Sequence, residues 1–423
     1  MQLIILITVK IFKFGGASVK DAKSIINVTK ILKSEGYQDL VLVISAMGKM
    51  TNAFEEIVKT YLSGDSKLET AIKFVREFHS TVIDELFDTN HKIYNEIDWF
   101  FLEMNQFFIK NKNFNYDYVY DQIVGYGELI STKILSNYLN KTGIDNIWID
   151  VRELLITDNN YRNAKVDWDL SCQNINSTIQ GNTLYITQGF IAGTAKKTST
   201  TLGREGSDYS AAIFGYCLQA DSLTIWKDVP GVYNADPRFF KQKKLLNQIS
   251  YKEALEMAFY GASVIHPKTI KPLENRNIPL FVRSFAKPNN NGTIITNGVE
   301  LEPKIACYTH KENQILLSIS TKDFSFIIEE NISHLFDLFT KHKIKVNLIQ
   351  NSAISFSVCI EDTYRLFDKL FKELQLHYST TYNKNVKLIT IRHFQNDDIH
   401  TIKDLYDILL TQQTSKTIQF VVK

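Results

Sequence analysis

The amino-acid sequence predicts an α/β protein whose main domain is built on a mostly parallel sheet, followed by a smaller ferredoxin-like region. Over the first three quarters of the chain, short β-branched apolar runs alternate with helical patterns, which is typical of a parallel sheet with crossover helices. Near Pro303 this alternation stops, and the following segments have the order βαββα. The chain has 423 residues, of which 44% are hydrophobic, and this is enough for more than one buried core.

The strands of the main domain are predicted from short apolar runs rich in β-branched residues. These runs are Val9 to Phe14, Val41 to Ile44, Ile147 to Val151, Thr183 to Thr187, Ser222 to Trp226 and Pro279 to Val282. A helix is predicted from Asp21 onward, and apolar residues at three- and four-residue spacing predict a core-facing helix across Ile97 to Phe108. The apolar opening, Leu3 to Ile7, also indicates a buried strand, because it has neither the basic start nor the cleavage site of a signal peptide.

The C-terminal region is predicted to begin at about residue 304, which leaves residues 1–303 for the main domain. Its first unit, at about 314–380, contains predicted strands at 315–319, 346–349 and 354–360 and helices at 332–339 and 366–374. A second, shorter unit at about 385–423 contains a strand at 386–391, a helix at 402–410 and a strand at 417–422. Both patterns favour ferredoxin-like βαββαβ units.

Composition excludes several classes of partner. Lys and Arg total 48 against 46 for Asp and Glu, so the net charge of +2 gives no electrostatic footprint for nucleic acid or an anionic membrane. No apolar run approaches the roughly 20 residues that cross a bilayer. The four cysteines, Cys172, Cys217, Cys307 and Cys359, form no CxxC pair and are too few for a disulfide framework. We therefore expect a cytoplasmic protein with small or local partners.

A glycine pair, Gly15-Gly16, follows the first predicted strand directly after Lys13 and Phe14. Adjacent glycines let backbone N–H groups approach an anion, and the start of a helix and the lysine add positive charge. The segment is a candidate phosphate cradle, although a tight turn without a ligand would have the same sequence. It matches neither the P-loop nor the GxGxxG dinucleotide fingerprint, and neither motif occurs elsewhere.

A second loop, Thr200 to Ser210, leads into a predicted helix and carries Arg204 between two glycines. A guanidinium in a hydroxyl-rich loop presents a planar fork to a carboxylate or phosphate. The alternative is structural, with Ser207 or Asp208 as an ordinary helix N-cap and Arg204 as a surface charge.

A third loop, Trp226 to Arg238, follows a predicted strand and therefore lies at the sheet edge where open α/β sheets bind ligands. Tyr233 could contact a purine and Arg238 a phosphate, or the loop could be a rigid surface connection. No zinc-ligand spacing and no nucleophilic triad are apparent, so no metal ligands are predicted.

Six segments taken in order resemble the aspartate kinases of the amino acid kinase family. They are KFGGAS from Lys13, GYGELIST from Gly125, TQGFI from Thr187, TTLGREGSDYSAA from Thr200, WKDVPGVYNADPR from Trp226 and GASVIHPKT from Gly261. The resemblance implies a three-layer αβα sandwich with C-terminal ACT units. It also implies transfer of the ATP γ-phosphoryl group to the β-carboxylate of L-aspartate with Mg²⁺, the first step of lysine, threonine and methionine synthesis.

The resemblance also implies roles for individual residues. Lys13 and Asp208 are the expected catalytic pair, with Lys13 neutralising the phosphoryl group and Asp208 orienting it. The nucleotide and its phosphates are expected at Lys13, Phe14, Gly15, Gly16, Lys227, Asp228, Tyr233, Arg238 and Ser263, the last standing where a lysine is frequent. Aspartate is expected at Ser45, Thr51, Glu128, Arg204 and Ser207.

The ACT-like tail implies a homodimer or higher homo-oligomer and inhibition by an amino-acid effector, lysine or threonine. A tail that only dimerises is the alternative. Length and the missing dinucleotide fingerprint argue against a fusion with homoserine dehydrogenase. A catalytically silent amino-acid-binding regulator with the kinase fold remains the second hypothesis, and Ser263 is the position that favours it.

Overall fold

Two units make up the chain in the computed structural model, which describes residues 9–236, 240, 243–262, 265–323 and 325–423. The first unit runs through Val232 and also includes residues 245–254 and 265–300. The second contains residues 233–244, 255–264 and 301–423. The predicted strand from Leu3 to Ile7 lies outside the described residues.

The first unit is built around a mostly parallel sheet, as predicted. Its strands are β1 (Lys10–Phe14), β2 (Leu40–Ile44), β3 (Ile147–Trp148), β4 (Ile156–Thr157), β5 (Leu184–Gln188), β6 (Ile191–Thr194), β7 (Ser199–Thr201), β8 (Ser222–Lys227), β9 (Gln248–Ser250), β10 (Leu280–Ser284) and β11 (Thr293–Thr296). Among the described residues, eight strands form one sheet in the order β3-β5-β2-β1-β8-β10-β11-β9. Every neighbouring pair is parallel except β10 and β11. Strands β4, β6 and β7 form a small separate sheet.

Helices connect these strands and cover the sheet on both faces, which gives the three-layer αβα arrangement. They are α1 (Ala22–Glu35), α2 (Met50–Ser63), α3 (Leu68–Leu86), α4 (Ile93–Lys110), α5 (Tyr116–Ile123), α6 (Tyr126–Lys141), α7 (Trp168–Thr178), α8 (Gly206–Leu218), the first turn of α9 (Tyr251–Tyr260) and α10 (Pro267–Arg276). The rest of α9, from Leu255 onward, belongs to the second unit. All five residues of β2 and of β5 are buried, as expected for parallel strands covered on both faces. The side chain of Asp21 caps α1 by accepting from the Ser24 N–H, and the predicted core-facing helix is α4.

Besides the end of α9, the described residues of the second unit form one antiparallel sheet with three helices. Its elements are β12 (Cys307–Thr321), α11 (Glu329–Lys341), β13 (Lys345–Asn351), β14 (Ser355–Glu361), α12 (Phe367–His377), β15 (Tyr378–Arg392), α13 (Asn396–Leu405), β16 (Ile408–Gln413) and β17 (Thr417–Val422). The strand order is β13-β14-β12-β15-β17-β16, with antiparallel pairing throughout. The order βαββαβ from β12 to β15 is ferredoxin-like, which confirms the predicted fold of this region.

The two predicted C-terminal units share one sheet, because β12 and β15 are each 15 residues long and pair with each other from end to end, with register shifts in the middle. One detail of the C-terminal prediction is wrong. The helix predicted at 402–410 ends at Leu405, and β16 begins at Ile408. A short apolar run fits either a helix or a strand by periodicity, and here pairing with β17 decides for the strand.

Cysteine pairing and strand length also differ from the sequence interpretation of the main domain. Cys172 on α7 and Cys217 on α8 form a disulfide, whereas Cys307 and Cys359 are buried and not disulfide-bonded. The strand predicted across 147–151 stops at Trp148, because Asp150 caps a short 3-10 helix that follows it. Within the described residues, no helix has the length and apolar character needed to cross a bilayer.

Candidate active site

Four neighbouring parallel strands bring their following loops to one edge of the large sheet. Strands β5, β2, β1 and β8 lie side by side, so the residues after them are neighbours at the carboxyl edge. The Ser45 N–H donates to the Phe14 carbonyl at 3.1 Å, and the Gly189 N–H donates to the Ile44 carbonyl at 2.9 Å. The predicted glycine loop after β1 therefore lies beside the loops after β2, β5 and β8.

The glycine pair forms a tight turn whose second member has no room for a side chain. The N–H of Gly48 donates to the Gly16 carbonyl at 3.0 Å, which holds the loops after β1 and β2 together. A Cβ on Gly16 would lie 2.7 Å from the carbonyl oxygens of both Ala46 and Gly48. On Gly15, the nearest atom to a Cβ would be Nζ of Lys13 at 3.4 Å, an ordinary contact. Only Gly16 is therefore required by close backbone approach.

A buried ion triad joins this turn to α8. Nζ of Lys13 lies 2.6 Å from Oδ1 of Asp208, and Nζ of Lys227 lies 3.3 Å from Oδ2. Burial alone would raise the pKa of the Asp208 carboxyl, but the two ammonium groups outweigh it and hold that pKa below its ordinary value. Asp208 is therefore ionised at neutral pH, and two cations are fixed beside the glycine turn.

The start of α8 places Ser207 and Asp208 inside the helix rather than at its cap. The N-cap position belongs to Glu205, in a left-handed conformation with φ of 56°, so the alternative of Ser207 or Asp208 as an N-cap is wrong. A Cβ on Gly189 would lie 2.6 Å from Cβ of Ser207, and the Phe190 N–H donates to Oγ of Ser210 at 3.0 Å. Close contact with the loop after β5 thus fixes the first turn of α8.

A cavity of about 460 Å³ opens between these loops. It is lined by eight of the residues predicted for the site, namely Lys13, Gly16, Ser45, Thr51, Glu128, Arg204, Ser207 and Asp208. All three predicted functions, phosphate binding, substrate binding and catalysis, have residues on this one cavity. The volume lies in the range of small-molecule sites in proteins.

Glu128, in the first turn of α6, provides a buried acid in the cavity. Burial raises the pKa of its carboxyl to about 8, against the opposing effect of a hydrogen bond donated by the Ala46 N–H. The described part of the chain offers Oε2 no hydrogen-bond partner. A cationic ligand would satisfy this oxygen and favour the ionised form.

Several lining residues were not found from the sequence. Arg162, Tyr120 and Thr201 line the cavity, and the Arg162 guanidinium lies 4.4 Å from the centre of the Tyr120 ring. Asp121 supports them, because its carboxylate accepts from the N–H groups of Arg162 and Thr201, both at 2.9 Å. The sequence around Arg162 looks like an ordinary polar loop, so no local signal could have identified it.

The remaining predicted nucleotide residues that the structure describes do not line this cavity. The ring of Phe14 is fully buried and stacks on Trp226 at 5.8 Å, which leaves only its backbone for a ligand. Asp228 is exposed at the end of β8. Tyr233 belongs to the second unit, where Nζ of Lys243 lies 5.0 Å from its ring centre. Arg238 and Ser263 lie outside the described residues.

The cavity as a whole is suited to an anionic ligand that also carries an ammonium group. It offers lysine and arginine cations together with backbone amides, and the buried Oε2 of Glu128 has no hydrogen-bond partner among the described residues. Among the described residues, no group of three or more His, Cys, Asp or Glu side chains could hold a metal ion.

Comparisons with known proteins show the family to which the chain belongs. The model of the amino acid kinase family matches residues 8–284. Lysine-sensitive aspartokinase 3 of Escherichia coli is 31% identical over 361 residues, covering 83% of this chain and 78% of that protein. A chloroplastic bifunctional aspartokinase/homoserine dehydrogenase 2 of Arabidopsis thaliana is 34% identical over 297 residues, and the match covers 67% of this chain and 32% of that protein. The chain thus spans about a third of the bifunctional relative's length.

Solved structures give the same result. E. coli aspartokinase III in complex with aspartate and ADP, described as the R-state, superposes with a TM-score of 0.82 at 26% identity, covering 98% of this chain and 96% of that one. The same protein in complex with lysine and aspartate, described as the T-state, gives a TM-score of 0.79 at 26% identity and the same coverage. Family model, sequence relatives and structures agree, and the chain belongs to the amino acid kinase family and, within it, to the aspartokinases.

Proposed function

We propose that the chain transfers the γ-phosphoryl group of ATP to the β-carboxylate of L-aspartate, giving 4-phospho-L-aspartate and ADP. The observation that carries this proposal is the buried Lys13, Asp208 and Lys227 triad beside the glycine turn, on a cavity that also holds Glu128 and Arg204. The reacting partners are both anions, so fixed cations and positioning must supply most of the rate enhancement.

On the phosphate side, Lys13 and the backbone N–H groups of Gly15 and Gly16 bind the β- and γ-phosphates. A carboxylate oxygen of aspartate forms the new bond to phosphorus as the bond to the β-phosphate oxygen breaks, and ADP leaves with that electron pair. Lys13 and Lys227 stabilise the charge on the phosphoryl group in transfer. Magnesium is part of the substrate MgATP, held by phosphate oxygens and water, in keeping with the chemistry of that ion.

On the aspartate side, the guanidinium groups of Arg204 and Arg162 are suited to carboxylates. Glu128 receives the α-ammonium group through its unpartnered Oε2. Ser45, Thr51 and Ser207 line the same cavity, and their hydroxyl groups position the substrate by hydrogen bonds.

Asp208 acts on Lys13 rather than on the substrate. A carboxylate nucleophile is already ionised, so no general base is needed. The short ion pair instead fixes the ammonium of Lys13 at the phosphate end of the cavity. By resemblance, the backbone of Phe14 and the residues Asp228, Tyr233, Arg238 and Ser263 complete the nucleotide side.

Residues 1–303 are proposed as the catalytic domain and residues 304–423 as an ACT-type regulatory region. Feedback inhibition by lysine or threonine and assembly into a homodimer or higher oligomer are part of this proposal. The E. coli relative solved in complex with lysine is the support for lysine as effector. The proposed compartment is the cytoplasm.

The proposal is tested by ATP-dependent formation of aspartyl hydroxamate from aspartate and hydroxylamine. Wild-type protein and Lys10→Ala should turn over, because Lys10 is exposed on the same strand, three residues before Lys13. Lys13→Ala should be nearly inactive while keeping the wild-type circular dichroism spectrum. No turnover by wild type with aspartate would favour the silent amino-acid-binding regulator, which the buried triad otherwise argues against.

A further inference from the structure

A second cavity of about 330 Å³ lies in the first unit, outside the catalytic one, where helices α7, α8 and α10 meet. Its principal lining side chains are Trp168, Tyr209, Tyr216, Lys268, Lys271 and Asn275. None of them lines the catalytic cavity. The volume is within the range of sites that bind small molecules.

The walls contributed by α7 and α8 are aromatic. The indole of Trp168 lies 5.0 Å from the Tyr216 ring and 6.4 Å from the Tyr209 ring, and both pairs are inclined at 70°. Because the three rings meet edge to face, neither tyrosine stacks over the indole. The corner formed by the rings of Trp168, Tyr209 and Tyr216 is suited to the flat face of a further aromatic ring.

The wall contributed by α10 is cationic. Lys268 and Lys271 lie on this helix, and no Asp or Glu is among the described lining residues. The Arg276 guanidinium, also on α10, lies 4.5 Å from the centre of the Tyr216 ring and adds positive charge behind it. Nζ of Lys268 donates to Oδ1 of Asn163 at 2.6 Å, which fixes the ammonium at the rim. The cavity therefore disfavours cations and attracts anions.

We propose that this cavity binds a small planar aromatic anion, whose ring lies in the Trp168 corner and whose negative group contacts the lysines of α10. Two sources share this chemistry: an aromatic carboxylate and a purine nucleoside monophosphate. An uncharged ligand would leave the lysines of α10 without an anionic partner, and inorganic phosphate alone would leave the aromatic walls uncovered. The proposal does not depend on the kinase activity.

The experiment must separate this cavity from the catalytic one, because Tyr209 follows Asp208 directly in the chain. The full-length protein is titrated calorimetrically with 3-phenylpropanoate and with AMP, and tryptophan fluorescence is recorded in parallel. Lys268→Gln/Lys271→Gln removes the cationic wall, and Lys33→Gln, at an exposed position on α1, is the matched control. Trp168→Phe keeps an aromatic wall and removes the local fluorophore. Thermal melting verifies that each variant is folded.

At least one of the two anions is expected to bind, with Kd about tenfold or more weaker in the double lysine variant and unchanged in Lys33→Gln. Trp168→Phe should lose the fluorescence change while calorimetric binding remains. AMP binding identifies a nucleotide as the ligand type, and 3-phenylpropanoate binding identifies an aromatic acid. The proposal is overturned if neither binds, if the double variant binds like wild type, or if inorganic phosphate binds as tightly as either aromatic anion.

Discussion

The ammonium group of Lys13 lies 2.6 Å from the carboxylate of Asp208, although Lys13 is on β1 and Asp208 is in the first turn of α8. Both side chains are nearly inaccessible, at 9% and 0% exposure. Burying either charge without the other would cost several kcal/mol. The pair therefore fixes the position of the helix that carries the substrate-side residues relative to the strand that carries the phosphate loop.

Replacing Asp208 by Asn should lower kcat by about 10²- to 10³-fold, because Lys13 is no longer held where charge develops on the phosphoryl group. The Michaelis constant for aspartate should change much less. Steady-state kinetics with both substrates measure this split, and Asp221→Asn, at an exposed position before β8, is the control. A rise in the aspartate Michaelis constant with kcat intact would instead assign Asp208 to substrate binding.

Replacing Arg204 by Ala should have the opposite kinetic signature. Arg204 is exposed and lines the cavity without belonging to the buried triad, so its loss should remove a charge-assisted contact to aspartate. We expect the Michaelis constant for aspartate to rise by about 10- to 100-fold, with a smaller change in kcat. Lys13→Ala should show mainly a kcat loss in the same assay, and exchanged signatures would reverse the two role assignments.

Glu128 should make both stability and aspartate binding depend on pH. Its folded-state pKa is about 8, against an ordinary value of 4.5. Between these values the folded chain holds one proton more than the unfolded chain, so this contribution to stability declines as pH rises from about 4.5 to 8. Glu128→Gln should lack this decline, which urea unfolding at several pH values measures.

Because the substrate ammonium prefers the ionised carboxylate, aspartate binding at pH 7 should release about one proton from Glu128. Calorimetry in two buffers of different ionisation enthalpy counts this proton, and Glu128→Gln should release none. Equal proton release by wild type and the variant would mean that Glu128 does not meet the ammonium group.

The two adjacent glycines should respond differently to alanine. Gly16→Ala places a Cβ 2.7 Å from two carbonyl oxygens, so the loops after β1 and β2 must separate. We expect ATP binding and kcat to fall by at least about tenfold. Gly15→Ala meets only the end of the flexible Lys13 side chain at 3.4 Å and should remain close to wild type. Equal losses of ATP binding and kcat in both variants would show that the lack of space at Gly16 is not the cause of the effect.

The disulfide between Cys172 and Cys217 predicts a thiol count and a stability change. Alkylation of the unreduced, denatured protein should label Cys307 and Cys359 only. The bond closes a loop with a sequence separation of 45, so replacing both bonded cysteines by serine should lower the free energy of unfolding by about 4 kcal/mol in the chain-entropy model. Labelling of all four thiols would show that the pair is reduced in the protein as isolated.

Much of the site follows from the sequence because its loops adjoin apolar strands. Parallel strands end at one edge, so the sequence pattern is enough to group the loops after β1, β2 and β8. Asp208 follows β7 of the small sheet and was grouped with Lys13 by the family resemblance alone. Arg162 could not be found in this way, since its backbone has a φ of 65° and its position depends on Asp121 and Tyr120 from a distant helix. Its place in the cavity is set by tertiary contacts, and no periodic pattern marks it.

The length of β12 could not be predicted from the sequence pattern either. Its middle, from His310 to Asn313, is polar and therefore resembles a loop. In the structure it pairs with β15 through backbone groups, with a register shift between Lys311 and Gln314. Main-chain pairing does not require apolar side chains, and an irregular register removes the alternation by which strands are recognised.

The two 15-residue strands, β12 and β15, determine the order in which the C-terminal sheet unfolds. Strands β12 and β15 form a central two-stranded ribbon. The hairpin of β13 and β14 pairs with its β12 edge, and the hairpin of β16 and β17 pairs with its β15 edge. Fraying of either outer hairpin leaves the ribbon intact, whereas opening of the ribbon removes the template for both hairpins at once. The region therefore melts from its margins inward, and its last cooperative step belongs to β12 and β15 together.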